Sequence, residues 1–230
     1  MIISHQYRFI FIKTKKTAGT SLEVFLSQQC DENDVFTPIF PHVEPHIARN
    51  YSSLWNPIPE WIQSRGQGAK ALIKSVMNRK RFYNHMPAQL VRNRISKKIW
   101  DSYYKFAVER NPWDKVMSHY HMINGREDHA LSLDDYLQRG SLNYCLNYPL
   151  YTDQQGKPMI DRLVKYESLN DELGEIFDQL DIPFDGTLSV KAKSGHRKTR
   201  KNYRDVLTQQ QKEHIDAAFA KEIEMHGYIF

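Results

Sequence analysis

"YRFIFIKTKKTAGTSLEVFLSQQ", residues 7–29, sets the frame for the whole chain. Residues 7–12 are aromatic and β-branched and predict a buried strand. Over 20–29 the apolar residues return at helical spacing. The turn between them holds Lys13, Lys15 and Lys16, one glycine and a run of hydroxyls. A strand, a short loop and a helix present backbone N–H groups at the helix's positive end, an arrangement that suits phosphate or sulfate. Lys15 and Lys16 add charge, and Thr17, Thr20 and Ser21 add donors. Gly19 allows close approach of backbone, and the methyl of Ala18 forbids little unless φ is positive there. The ATP-binding P-loop, G-x-x-x-x-G-K-[ST], is not matched. The lysines precede the single glycine, and no Lys-Ser or Lys-Thr pair stands where magnesium would be held. The loop therefore favours a di-anionic group handled without an obligatory metal.

"VERNPWDKVMSHY", 108–120, repeats the layout. A strand over 104–110 stops at Asn111-Pro112, a favoured N-cap followed by a favoured first helical residue. Arg110 sits at the strand's end, where ligands gather in open α/β sheets. Ser118 lies about two turns into the helix. The alternative for this pair is that Arg110 binds Asp114 and Ser118 has no role.

Further out, 161–167 reads as a third strand, with helices over 132–139 and 168–180. The latter carries a stripe of Leu169, Leu173, Ile176, Phe177 and Leu180. A last helix begins at Thr208, with Gln211 completing a capping box, and ends near Gly227. Residues 69–82 predict a basic amphipathic helix, and "MPAQLVRNRI", 86–95, another with Pro87 in its first turn. Residues 31–68 read as irregular. Alternating strands and helices imply one α/β domain over 1–230, with a central parallel sheet flanked by helices.

Paired in this way, the two loops resemble the sulfotransferases that use 3′-phosphoadenosine 5′-phosphosulfate (PAPS), in particular the branch of Golgi carbohydrate sulfotransferases and their bacterial relatives. The family's "PKTGGTS"-like 5′-phosphosulfate loop is "KKTAGTS" here, 15–21. Its "RNPxxRxxSxY"-like 3′-phosphate segment is "RNPWDKVMSHY", 110–120. "VKYESLNDEL", 164–173, and the C-terminal "NYRDVL…EIEMHGYIF" also resemble it, so the likeness runs nearly end to end. Lys15 replaces the usual proline and Ala18 a glycine, while Asp114 and Lys115 alter the charge pattern near Ser118. None of these removes a residue whose chemistry is needed.

The resemblance implies a P-loop-like three-layer fold and sulfuryl transfer from PAPS to a hydroxyl, leaving PAP, with no metal. In-line transfer of this kind depends on positioning and electrostatics. Lys16 is the candidate cation for the leaving phosphate. Lys15 and the loop from Thr17 through Ala18, Gly19 and Thr20 to Ser21 would hold the 5′ end, and Arg110 and Ser118 the 3′-phosphate. Family members with a catalytic histidine place it at a similar distance upstream of the arginine, which makes His85 the candidate base; imidazole titrates near neutrality. Glu44, His42 and His46 are the runners-up. A basic segment before the last helix closes over the nucleotide in the family, which points to Arg197, Arg200 and Lys201 in "SGHRKTRKNYR", 194–204. Residues 31–84 resemble the family least and are expected to shape the acceptor site. A glycan or glycolipid is the expected acceptor, with a small alcohol or phenol as the alternative, and Trp55 and Trp61 offer flat faces to sugar rings.

Composition narrows the field less sharply. The 230 residues are 40% hydrophobic and 12% aromatic, as in a globular protein. A net charge of +5, from 32 basic and 27 acidic residues, suits an anionic partner without demanding nucleic acid. The basic stretches 65–81 and 194–204 lack the paired aromatics of an RNA-binding sheet. A nucleotide-dependent kinase is disfavoured by the missing Lys-Ser/Thr pair and the lack of an evident magnesium carboxylate. Cys30 and Cys145 fit no metal motif and no disulfide framework. Pro45 opposes the helix that a His42/His46 zinc pair would need. No apolar run approaches the length of a membrane span, and no signal peptide is evident, so a cytoplasmic location is expected.

Overall fold

The computed structural model describes residues 1–65, 68–125, 131–188 and 202–230. The first half of the chain forms β1 (Ile2–Ser4), β2 (Phe9–Ile12), α1 (Gly19–Gln29), β3 (Val35–Phe36), α2 (Ile58–Gln63), α3 (Ala69–Met77), α4 (Ala88–Arg94) and α5 (Lys97–Ser102). The second half forms β4 (Tyr104–Glu109), α6 (Pro112–Asn124), α7 (Leu133–Gln138), a 3₁₀ turn at Ser141–Cys145, α8 (Tyr148–Tyr151), β5 (Arg162–Lys165) and α9 (Leu169–Gln179). The chain then closes with α10 (Tyr203–Val206), α11 (Gln209–Ala218) and α12 (Ala220–His226).

The strands make one sheet in the order β3-β1-β2-β4-β5. β2, β4 and β5 run parallel, with Ile12 beside Ala107 and Ala107 beside Leu163. β1 lies antiparallel to both β2 and β3. The sheet is therefore mixed, where a wholly parallel one was expected. Only residues 5–8 join β1 to β2. That length closes a hairpin, whereas a parallel crossover needs a dozen or more residues. The buried Asp34 carboxylate secures the corner, accepting from Ser4 Oγ at 2.9 Å and from the His5 N–H at 2.5 Å.

Period-two alternation along the strands loads both faces. Phe9, Phe11, Phe106 and Val108 face α1 and α9 through Leu22, Phe25, Leu26, Leu173, Ile176 and Phe177. Ile10, Ile12 and Ala107 face Met86, Ala88, Val91, Trp100 and Tyr151. Helices thus cover the sheet on both sides, giving three layers. Beyond them α6, α7, α10 and α11 gather around Trp113, Tyr136, Tyr203 and Phe219.

Local signals set most boundaries. Asn111 Oδ1 accepts the Asp114 N–H at 2.8 Å and starts α6. Thr208 and Gln211 form the expected capping box on α11. Gly227 ends α12 at φ 62, although the expected single last helix breaks at Phe219. The helix expected over 69–82 stops at Met77, and none of its residues is buried. Cys30 and Cys145 are separate thiols; burial pushes them up to about 12 and about 11 respectively.

Candidate functional site

Because β2 and β4 are parallel neighbours, the loops that follow them emerge at the same end of the sheet. Thr14 Oγ1 joins the loops by donating to the Val108 carbonyl, and it lies 2.7 Å from Thr17 Oγ1. Between Thr14 and α1 the backbone twice enters the left-handed region, at Lys16 (φ 62) and Ala18 (φ 58). For residues bearing a Cβ this costs roughly 1–2 kcal/mol each, and such strain concentrates at ligand-binding turns. The condition on Ala18 is therefore met in the unfavourable sense. The N-cap residue Ala18 makes no side-chain capping bond to α1, and the first-turn N–H groups of a helix are the ones its own backbone does not satisfy.

Lys13 turns away from the loop. It is buried, and its Nζ pairs with Glu23 Oε2 at 2.5 Å. A Cβ on Gly19 would stand 2.8 Å from Lys13 Cγ. Here the glycine makes room for the lysine stem, a role different from the ligand approach expected of it. Burial opposes charge on Glu23, yet the Met1 amino group and Lys13 together hold its carboxyl below the usual range.

Arg110 meets the loop directly. Its Nη1 donates to the Lys16 carbonyl at 3.3 Å, and its Nε donates to Asp114 Oδ2 at 2.9 Å. Nη2 donates to the same carboxylate, and the guanidinium lies 4.2 Å over the Tyr166 ring. The Asp114 pairing considered as the alternative is thus present. It takes two of the five N–H donors and the Lys16 carbonyl a third. The other two have no acceptor among the described residues. Lys16 Nζ reaches Met122 Sδ at 3.4 Å. Asp114, Ser118 and Met122 are spaced four apart on α6 and share one face, so Ser118 stands between the residues that touch Arg110 and Lys16.

A side chain with no motif around it completes the loop. The Asn147 amide accepts the Lys15 N–H at 2.8 Å and donates to the Lys15 carbonyl at 3.0 Å. It also donates to Glu109 Oε1 at 3.1 Å. Glu109 is held by Lys115 Nζ at 2.7 Å and Tyr151 Oη at 3.2 Å, all of it buried. Lys15 Nζ lies 4.6 Å over the Tyr144 ring, and partial burial lowers its pKa. Neither Asn147 nor Glu109 carries a signal in the sequence that would single it out.

His85 sits beside the same strand end. Its Nδ1 is 3.2 Å from the Lys13 carbonyl, which fixes the ring against the residue before the loop. Its φ is 56, a conformation in which histidine is enriched for backbone reasons alone. Burial and then the Lys13 charge push its pKa down to about 3, well below the near-neutral titration expected of it. His46 is buried with Nε2 on the Thr37 carbonyl at 3.0 Å, whereas His42 and Glu44 are exposed. Trp55 packs beneath the Arg94 guanidinium at 4.2 Å and donates to Glu60, while Trp61 is half exposed. Arg197, Arg200 and Lys201 lie outside the described residues. A cleft of about 640 Å³ opens near Arg8, Lys105 and Asp161, at the opposite end of the parallel strands from the loop.

No family model matches the chain. A protein of uncharacterised function from Archaeoglobus fulgidus is 32% identical to it over 118 residues, covering 49% of this chain and 98% of the archaeal protein. The two belong to one family. Its archaeal member brings no stated activity, so function has to be argued from the geometry of the site. Among the described residues no helix is long and apolar enough to cross a membrane.

Proposed function

We propose that this chain is a PAPS-dependent sulfotransferase with a P-loop-like fold, acting as one catalytic unit on a hydroxyl of a carbohydrate or glycolipid. The observation that carries the proposal is the Arg110–Lys16 contact. Two separate strand–loop–helix elements bring their cations to the C-terminal end of adjacent parallel strands, beside a helix N-terminus whose N-cap residue makes no side-chain capping bond. The donor set fits a nucleotide with two anionic ends. N–H groups from Thr17 to Ser21 suit a phosphosulfate, and the two remaining Arg110 donors suit a second phosphate.

PAPS would supply an activated sulfuryl group. The protein's part is to hold and neutralise. Lys16, on a flexible stem beside the loop, places a point charge where negative charge develops on the leaving phosphate. Asp114 and the Tyr166 ring keep the Arg110 fork in one orientation. Asn147 holds the loop's first peptide in place. His85, its Nδ1 bonded to the Lys13 carbonyl, offers Nε2 as the proton acceptor, a weak one while burial and the Lys13 charge hold its pKa down to about 3.

Thermal unfolding with added nucleotide tests this. PAP at a hundredfold its Kd should stabilise the protein by about 2.7 kcal/mol. ATP with magnesium should do far less, and random oligonucleotides nothing. Equal stabilisation by PAP and ATP would refute 3′-phosphate recognition. Labelled PAPS with a panel of glycans, glycolipids, alcohols and phenols then identifies the acceptor.

A further inference from the structure

α2 is packed with its polar side inward. Glu60 accepts from Arg94 Nε at 2.6 Å and from Nη2 at 2.7 Å, both groups buried, and Gln63 Oε1 accepts from Asn93 at 2.8 Å. These bonds fasten the helix to α4 and leave Ile58, Trp61 and Ile62 on the outside. α3 contributes Ile73 and Met77 to the same exposed surface; Ile62 is 69% and Met77 78% accessible. Between the two helices runs an apolar groove of about 240 Å³, lined by Ile58, Trp61, Leu72, Ile73, Val76 and Met77. Contiguous exposed apolar surface of this kind marks an interaction site.

The charge around it has one sign. From Ile47 to Phe82 the chain holds a single carboxylate, Glu60, and that group is consumed by Arg94. Arg65, Lys70, Lys74, Arg79 and Lys80 are all exposed. Apolar side chains that include a tryptophan, rimmed by cations, match the interface of an anionic bilayer. There the apolar groups enter the acyl boundary and the cations meet the headgroups.

We propose that the α2–α3 face docks the protein on an anionic lipid membrane, with the groove seated at the acyl boundary. α2 is tied through Arg94 to α4, whose N-terminal end adjoins Met86 and His85.

The test is co-sedimentation of the full chain with vesicles of phosphatidylcholine alone and of phosphatidylcholine and phosphatidylserine in equal parts. The protein should bind the mixed vesicles at least about tenfold more tightly. An Ile62→Ser/Met77→Ser pair and, separately, a Lys70→Glu/Lys74→Glu pair should each lose about tenfold or more. All four positions are exposed, so both variants should keep the wild-type unfolding midpoint. Equal binding to both vesicle types, or full binding by both variants, overturns the proposal. So does a dimer abolished by the serine pair, which would assign the face to a second copy, or binding of an RNA oligonucleotide without vesicle binding. Vesicle binding needs no turnover, so its failure leaves the transferase proposal standing.

Discussion

Asn147→Ala removes three hydrogen bonds at once. Two are neutral bonds to the Lys15 N–H and carbonyl, each worth about 1 kcal/mol net. The third goes to the Glu109 carboxylate, where a bond is worth about 1.5–3 kcal/mol. Glu109 keeps Lys115, Tyr151 and the Arg110 N–H, so much of that third contribution is retained. Lys15 is only half-buried, and water replaces part of what it loses. The expected destabilisation is therefore about 2–3 kcal/mol, read as a lower urea midpoint at unchanged slope. PAP affinity should fall as well, because the loop loses the anchor of its first peptide. Asn147→Asp has nearly the same shape and still accepts the Lys15 N–H. It sets a carboxylate against the Lys15 carbonyl and Glu109, however, and should be at least as damaging. An alanine variant within about 0.5 kcal/mol of wild type, with unchanged PAP affinity, would refute the loop-anchoring role.

Lys16→Ala should lose about 2.7–4 kcal/mol of transition-state stabilisation in single-turnover sulfate transfer; near wild-type rates would remove Lys16 from the chemistry. Arg110→Ala should weaken PAP by about 1.5–3 kcal/mol and adenosine 5′-phosphosulfate much less, as calorimetry would show; equal losses would make Arg110 a residue of the fold. Ala18→Gly relieves the left-handed strain at φ 58 against a smaller entropy cost, and should stabilise the fold by about 0.5–1 kcal/mol, read as a higher urea midpoint at unchanged slope. The folded-state pKa of His85, about 3, lies below its ordinary 6.5, so its share of stability is whole above pH 6.5 and is lost as pH falls toward 3. Wild type should therefore lose about 1–2 kcal/mol more than His85→Asn between pH 7 and pH 5, asparagine being tolerant of the same backbone. If His85 is also the base, sulfate transfer should keep its rate well below pH 6, and His85→Asn should slow it about 10²–10⁴-fold without loss of PAP affinity.

Elements governed by near neighbours were legible in the sequence. The β2–loop–α1 unit, the Asn111 cap with Pro112, the Thr208–Gln211 box and the α9 stripe depend on side chains within a turn or two of one another, where spacing and propensity act directly. The strand-to-helix turn at residues 13–19 was legible for the same reason, whereas the pairing of Lys13 with Glu23 and the space Gly19 leaves for the lysine stem were not. What lay beyond the sequence depends on long-range pairing. Residues 2–4 and 35–36 are too short to declare themselves strands, and only the edge they complete makes them so. Asn147 reaches Lys15 across 132 residues, and Lys16 meets Arg110 because β2 and β4 lie side by side. Packing also forced Lys16, Ala18 and His85 into left-handed backbone and lowered the pKa of His85. The same holds for α2: its apolar side faces outward because the Glu60–Arg94 pair is the group the interior cannot leave unsatisfied.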